Sequence, residues 1–233
     1  MKVRIQFSKH GVMKFIGHLD MMRYFQKAIR RAGIDIAYSG GYSPHQIISF
    51  AAPLGVGMES DGEYMDIEVN SHNGAEAMTD ALNGAMAEGV RILSVRALPE
   101  HTKNAMASVA AAGYLVRFRT DMRPDFVTQE ALEQFLARPS IPFTKQTKKK
   151  EVQLDLKPAI YKLCLEGDAV SMLVDASSAG NIKPVMVMEA LYREHNETLP
   201  PFALEITRTD TYLDLGTEGH KRLAPLRDAG EDF

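Results

Sequence analysis

Two histidines and an aspartate mark residues 15–52 as the part of the chain best suited to chemistry. His18 and Asp20 lie at the start of a segment with helical spacing of apolar residues, and His45 follows Pro44. Because imidazole works as an acid, base or ligand near neutral pH, His18 and His45 are the candidate catalytic residues. A structural role stays open for both: His18 as a hydrogen-bonded residue at the core edge, and His45 as part of a shaped turn.

Cationic and polar side chains in the same stretch are of the type that contacts phosphate groups. The candidate substrate-binding residues are Arg23, Arg30, Tyr42, Ser43 and His45. A solvated helix face, with Asp20 and Arg23 paired across one turn, explains the helical residues equally well without a ligand. A second basic cluster is predicted at Lys145 and residues 148–150.

Nucleotide hydrolysis and metal binding have weak support in the sequence. Residues 40–43 lack the lysine and the spacing of a phosphate-binding P-loop. His18 and His45 with Glu63 or Asp66 have the ligand types of a transition-metal site, but they are far apart in sequence. Alternation along a strand also places Glu63 and Asp66 on opposite faces. We therefore expect no metal and no cofactor.

The composition is that of a folded protein with ordinary charge. Of 233 residues, 45% are hydrophobic and 24% are charged, and the net charge of -3 restricts any nucleic-acid binding to local patches. The single cysteine excludes an intrachain disulfide, a four-cysteine zinc site and an iron–sulfur cluster built by this chain alone. No apolar run approaches the roughly 20 residues that span a bilayer, so we expect no membrane partner and a cytoplasmic location.

Hydrophobic spacing predicts the elements that hold the candidate residues. Polar and apolar residues alternate over 2–8, as in a strand with one buried face. A helix is predicted over 19–32, and Gly33 ends it. Its predicted buried stripe consists of Leu19, Met22, Phe25, Ile29 and Ala32. Further predicted elements are strands at 34–38, 46–52, 64–69 and 90–97, and a helix at 75–87.

The same order of elements recurs after a polar connection at 99–107. The second set consists of strands at 113–119, 141–147, 159–165, 170–174 and 202–208, with helices at 128–137 and 184–193. The pattern predicts an α+β fold with two tandem ferredoxin-like units, each a mainly antiparallel sheet covered by two helices. The units are expected at 1–98 and 108–212, and residues 213–233 are expected to form a loose C-terminal tail.

A long ordered series of residues in the first half, including FIGHLD at 15–20 and YSGGYSPH at 38–45, resembles the radical SAM-linked protein family. The similarity continues at positions 23, 30–33, 48–57, 59–60, 63–64 and 66, and more weakly at 155–160 and 180–191. That family is an uncharacterised domain, either fused to a radical S-adenosylmethionine (SAM) protein or encoded beside one, often near RNA-processing genes. The resemblance implies a radical SAM protein as partner and an RNA or ribonucleoprotein substrate.

Three functions follow as hypotheses from the residues and the resemblance. The first is an accessory protein that recognises RNA or a ribonucleoprotein for a separate radical SAM enzyme, since one cysteine cannot supply the three that a radical SAM cluster needs. The second is a metal-independent RNA endonuclease using His18 or His45, by analogy with paired ferredoxin-like CRISPR-processing nucleases. The third is a protein-interaction module without RNA binding.

Overall fold

The computed structural model describes residues 1–146, 151–217 and 220–233 as a mixed α and β chain, mostly sheet with few helices. Two compact units are present: one consists of Met1–Val109 with Arg208–Phe233, and the other of Ala110–Thr207. The end of the chain therefore belongs to the first unit, whereas the sequence pattern assigned it to a second unit and a tail. Within the described ranges, no helix is long and apolar enough to cross a membrane.

The first unit is built on an antiparallel sheet. Its strands are β1 (Lys2–Lys9), β2 (Ile48–Phe50), β3 (Glu59–Glu68) and β4 (Val90–Ala97). Strand β1 pairs with β4 on one side and β3 on the other, and β2 pairs with β3. The strand expected at 34–38 is present only as two isolated bridges, Ile36 to Val69 and Tyr38 to Gln46. The chain reverses direction between Ser39 and His45. Too few residues lie on either side of this turn to form a continuous ladder of paired strands.

Three helices belong to the first unit: α1 (His18–Arg31), α2 (Ala75–Gly84) and the short α3 (Ala105–Ser108). The buried stripe of α1 consists of Met21, Phe25, Ala28 and Ile29. Its three larger side chains join Val3, Ile5 and Phe7 of β1 in one core. Leu19, predicted to lie in this stripe, is 63% exposed. It lies two residues before Met21 and therefore on the opposite side of the helix.

The second unit combines an antiparallel sheet with a separate hairpin. Its elements are β5 (Ala111–Phe118), α4 (Gln129–Ala137), β6 (Pro142–Gln146), β7 (Glu151–Asp155), β8 (Ile160–Glu166), β9 (Ala169–Asp175) and α5 (Pro184–Glu194). Strand β9 pairs with β5 and β8, and β6 pairs with β7. Strand β7 was not expected, because exposed Glu151, Gln153 and Asp155 give it little apolar signal.

The C-terminal segment is anchored to the first unit and is not a loose tail. Strand β10 (Leu204–Asp214) is followed by β11 (Leu223–Pro225), which pairs with it, and by a 3-10 helix at Leu226–Ala229. Leu226 is fully buried, and the Phe233 carbonyl accepts a hydrogen bond from the Ala75 amide. These anchors are single residues far apart in sequence, so they leave no periodic pattern.

Candidate functional site

Three cations form one exposed face of α1. Arg23, Lys27 and Arg30 are spaced by four and three residues, which places them on the same side of the helix, and all three are exposed. Arg23 Nη1 lies 3.2 Å from Asp20 Oδ1. In the described part of the chain, no carboxylate lies within ion-pair distance of Lys27 or Arg30. We call these three residues the cationic face.

A compact turn at residues 39–45 displays an aromatic ring. The Ser39 amide donates to the His45 carbonyl at 2.8 Å, and the His45 amide donates to Ser39 Oγ at 3.1 Å. Ser39 Oγ also lies 2.8 Å from His45 Nδ1. Gly41 has a φ of 96°, a conformation that disfavours residues with a Cβ. The turn leaves Tyr42 and Ser43 exposed, and we call it the Tyr42 turn.

One hydrogen bond joins the Tyr42 turn to α1 beside the cationic face. Gln46, which follows the turn and is bridged to Tyr38, donates from Nε2 to the Gln26 carbonyl at 3.3 Å. Gln26 lies between Arg23 and Arg30 on the same side of the helix. Of the predicted residues, Arg23 and Arg30 share the exposed side of α1, and Tyr42, Ser43 and His45 share the turn.

His18 lies in a different environment from His45. It is half-buried, and its ring meets that of Phe50 edge to face at a centroid distance of 5.4 Å. It lines a small cavity with Lys9 and Glu63. Among the described residues, no contact joins His18 to His45, so the geometry does not assemble a two-histidine acid–base pair.

The cavity beside His18 contains buried charges with partners. Lys9 Nζ donates to the Ile16 carbonyl at 2.6 Å, and Glu63 Oε1 lies 2.8 Å from Arg208 Nη1. Burial lowers the pKa of Lys9, and the Glu63 carboxylate partly opposes this shift. These partners hold the charges in place, and they explain the cluster as part of the fold.

Asp66 lies on the opposite face of β3 from Glu63, as strand alternation predicts. Its carboxylate is 2.8 Å from Arg4 Nε and 3.0 Å from Arg4 Nη2, and it accepts from the Ala105 amide at 2.6 Å. Arg4 is fully buried and also donates to the carbonyls of Leu226 and Lys103. Glu63 and Asp66 therefore take part in separate structural pairs.

A buried polar group around Asp210 was missed from sequence. Tyr64 donates its hydroxyl to Asp210 Oδ1 at 2.7 Å, and Arg227 Nη1 lies 3.3 Å from Oδ2. Burial raises the pKa of Tyr64, and the neighbouring Asp210 raises it further. Burial also raises the pKa of Asp210. The partners are separated by up to 163 positions along the chain, so local spacing cannot reveal them.

A second unpredicted group surrounds His10 at the surface. Its Nδ1 lies 3.4 Å from Glu59 Oε2 and its Nε2 lies 2.8 Å from Asp61 Oδ1, while Lys14 Nζ is 3.5 Å from Glu59. Both ring nitrogens thus face carboxylates. In the ranges that the structure describes, no group of three or more His, Cys, Asp and Glu side chains is placed to hold a metal ion.

Exposed apolar side chains cluster where the chain enters α1. Val12 and Phe15 in the 3-10 helix at Gly11–Phe15 are 76% and 63% exposed, and Leu19 follows in the first turn of α1. The Gly57 amide donates to the Lys14 carbonyl at 2.8 Å, which brings exposed Val56 to the same region. We call Val12, Phe15, Leu19 and Val56 the apolar patch. Of the second predicted basic cluster, residues 148–150 lie outside the described residues.

The sequence matches one family model over most of its length. The family is described as "Uncharacterized protein conserved in bacteria (DUF2344)", and the match covers residues 2–184. Among solved structures, a chain of the "Crystal Structure of a Cbf5-Nop10-Gar1 Complex" is similar with a TM-score of 0.47 and 11% sequence identity. The match covers 90% of this chain and 48% of that chain, so this chain spans about half the length of the other. No curated protein gave a match.

Proposed function

The chain belongs to the DUF2344 family, and we propose that it is an accessory protein that binds RNA, or RNA within a ribonucleoprotein, for a separate radical SAM enzyme. The observation that carries the RNA-binding part is the cationic face of α1, and the Tyr42 turn is a second exposed element of the same unit. Cations attract the phosphate backbone, and an exposed tyrosine ring supplies a surface on which a base can stack. Both kinds of group are exposed in the first unit.

The charge of the cationic face is largely uncompensated, which supports binding of an anion. Asp20 neutralises part of the charge of Arg23, whereas Lys27 and Arg30 have no acidic partner in the described part of the chain. Exposed cations at this spacing produce a positive local potential even in a chain of net charge -3. The potential extends about 8–10 Å at ordinary salt, which suits contact with a few adjacent phosphates.

Direct binding measurements test this function. Fluorescence anisotropy with a labelled single-stranded RNA of mixed sequence compares wild type with the Arg23→Ala/Arg30→Ala variant. We expect the double variant to bind at least tenfold more weakly because two phosphate contacts are lost. Arg91→Ala is the matched control, since Arg91 is an exposed arginine on β4 of the same unit. Equal affinity of wild type and the double variant would remove the cationic face from the RNA site.

The apolar patch supports the proposed protein partner. Exposed apolar groups that lie close together are typical of protein-binding surfaces, and the patch is continuous with the start of α1. A radical SAM enzyme is the partner implied by the family resemblance. The single cysteine of this chain means that the three cluster ligands must come from that enzyme.

Copurification tests the partner separately from RNA. The tagged protein is isolated from its native cells after nuclease treatment, and bound proteins are identified by mass spectrometry. We expect a radical SAM protein with wild type and its loss with Phe15→Ser/Leu19→Ser, while Val185→Ser in the second unit retains it. Absence of a radical SAM protein from the wild-type sample would refute this part of the proposal.

We further propose that each unit has the ferredoxin-like arrangement. In the first unit, β4, β1 and β3 are adjacent in that order and β2 also pairs with β3. Together with the element order βαββαβ, this pairing supports the assignment. In the second unit, β5, β9 and β8 are adjacent in that order, and α4 and α5 lie at corresponding chain positions. An experimental structure of the chain tests the assignment through the strand order of each sheet.

A further inference from the structure

Strand β2 has two different environments on its two sides. Gln46, Ile48 and Phe50 face α1 and the core, as the Gln46 bond to α1 and the packing of the other two show. The alternate residues Ile47 and Ser49 line a cavity of about 240 Å³ on the other side of the sheet. The Tyr42 turn leads directly into this strand.

The cavity combines apolar walls with hydrogen-bonding groups. Ile47 and Leu98 supply apolar surface. Ser49, Thr102 and Asn104 supply two hydroxyls and an amide, and the Asp66 carboxylate is also part of the lining. All of these residues belong to the first unit. The lining therefore offers both donors and acceptors beside an apolar surface.

Some of this hydrogen-bonding capacity is not used within the described residues. The side-chain hydroxyls of Ser49 and Thr102 have no partner there, and Asn104 uses only Oδ1, which accepts from the Ala107 amide at 2.9 Å. Asp66 accepts three hydrogen bonds, from Arg4 and Ala105, and a carboxylate offers about four positions. Two hydroxyls, one NH2 group and one carboxylate position are thus available to a ligand.

The charges around the cavity are balanced, which indicates a neutral ligand. Asp66 is paired with Arg4, and the remaining charged lining residues are Lys2 and Glu68, one of each sign. They lie opposite each other on β1 and β3. A phosphate group would need an excess of positive charge, which this cavity lacks. Its volume is below the roughly 300–1,000 Å³ of pockets for drug-sized ligands, which favours a small ring system.

We infer that the cavity binds a single unstacked nucleobase of a bound RNA. This inference rests on the proposed RNA-binding function. It identifies a base as the part of the RNA that contacts the side of β2 away from α1. Proteins that recognise single-stranded RNA hydrogen-bond to the edges of splayed-out bases and pack their rings against side chains. The hydroxyls, the amide and the carboxylate face the base edge, and Ile47 and Leu98 contact its ring.

The test uses neutral nucleosides, which have no phosphate for the cationic face. Amide resonances of the full chain are followed by NMR during titration with adenosine, guanosine, cytidine and uridine. We expect at least one nucleoside to shift the resonances of Ser49, Leu98 and Thr102 in a saturable way. Inorganic phosphate at the same concentrations should leave these three resonances unchanged.

Two variants of the cavity complete the experiment. Ser49→Leu fills the space and should weaken nucleoside binding at least tenfold, while Arg91→Ala binds as wild type does. Thr102→Val removes one hydroxyl at nearly constant volume and should weaken binding two- to tenfold, which keeps the test decisive if Ser49→Leu fails to fold. No saturable shift with any nucleoside, or shifts that both variants retain, would overturn the cavity assignment. RNA binding that still depends on Arg23 and Arg30 would then leave the proposed function standing.

Discussion

The first unit contains two sets of charged residues that look alike in sequence and differ in their surroundings. Arg4 and Asp66 on β1 and β3 are buried and form two short contacts with each other, with side-chain exposures of 0% and 9%. Arg23 and Asp20 on α1 form a single contact, with exposures of 70% and 67%. The two pairs contain the same residue types, so residue type alone does not identify a binding site. Exposure and unpaired neighbouring charge distinguish the two.

The difference has a direct energetic basis. Each charge of a buried ion pair loses its hydrogen bonds to water and needs other partners in their place. Arg4 finds these partners in Asp66 and two backbone carbonyls. The donors of Arg4 are thus used within the fold. The exposed cations of α1 keep their hydration, so a phosphate can displace water there at small cost. The buried set therefore supports the fold, and the exposed set is available for binding.

Removing one partner of the buried pair should give the largest effect. Arg4→Ala leaves Asp66 buried without its cation, and we expect a loss of about 3–5 kcal/mol in the free energy of unfolding. Arg23→Ala, the matched exposed change, should cost less than about 1 kcal/mol. Urea denaturation of both variants gives the comparison. Similar losses for the two would show that exposure does not separate these sets.

Truncating the exposed aromatic ring should have an intermediate effect on binding alone. Tyr42→Ala removes the stacking surface, and we expect RNA affinity to fall by about 1–3 kcal/mol with no change in stability. Tyr42→Phe retains the ring and should bind RNA nearly as wild type does. Anisotropy titrations measure both variants. If Tyr42→Ala and Tyr42→Phe bind equally, the ring of Tyr42 does not stack on a base.

The smallest effect is the pH dependence that Asp210 adds to stability. Its folded pKa is raised above the ordinary value of 3.8, so the folded state holds this proton more tightly than the unfolded state. Its contribution is present below pH 3.8 and is lost as the pH rises through the folded pKa. Asp210→Asn keeps an acceptor for Tyr64 but does not titrate.

Denaturation curves of wild type and Asp210→Asn between pH 3 and 7 measure this contribution. The stability of wild type relative to the variant should decline as the pH rises over this interval. A difference that stays constant with pH would show that burial does not raise the pKa of Asp210. If wild type instead becomes more stable than the variant as the pH rises, the ion pair with Arg227 has a larger effect on the pKa of Asp210 than burial has.

Local patterns predict the main elements of the fold well. The helix at α1 and the strand β1 follow from hydrophobic periods of 3.6 and 2, which each element displays over at least seven residues. Leu19 shows the limit, because a residue in the first turn can fit two helical stripes and only packing selects one. The C-terminal anchor Leu226 shows another, since an isolated apolar residue has no period.

The site is only partly predictable from the sequence, because some contacts that position it join residues far apart in the chain. The spacing of Arg23 and Arg30 indicates a shared helix face, and the turn residues around Gly41 indicate a loop. The hydrogen bond from Gln46 to Gln26, which joins the segment after the turn to α1, is encoded by no local pattern. The cavity beyond Ser49 likewise needs the backbone segment around Asn104, more than 50 residues away.

The salt dependence of RNA binding tests whether α1 binds phosphates. Binding of one single-stranded RNA is measured at several salt concentrations for wild type and for Arg23→Ala/Lys27→Ala/Arg30→Ala. Each phosphate contact contributes about 0.7 to the slope of log affinity against log salt on a single strand, so the triple variant should lose a slope of about 2. An unchanged slope in a folded triple variant would contradict the account of α1 as the phosphate-binding face.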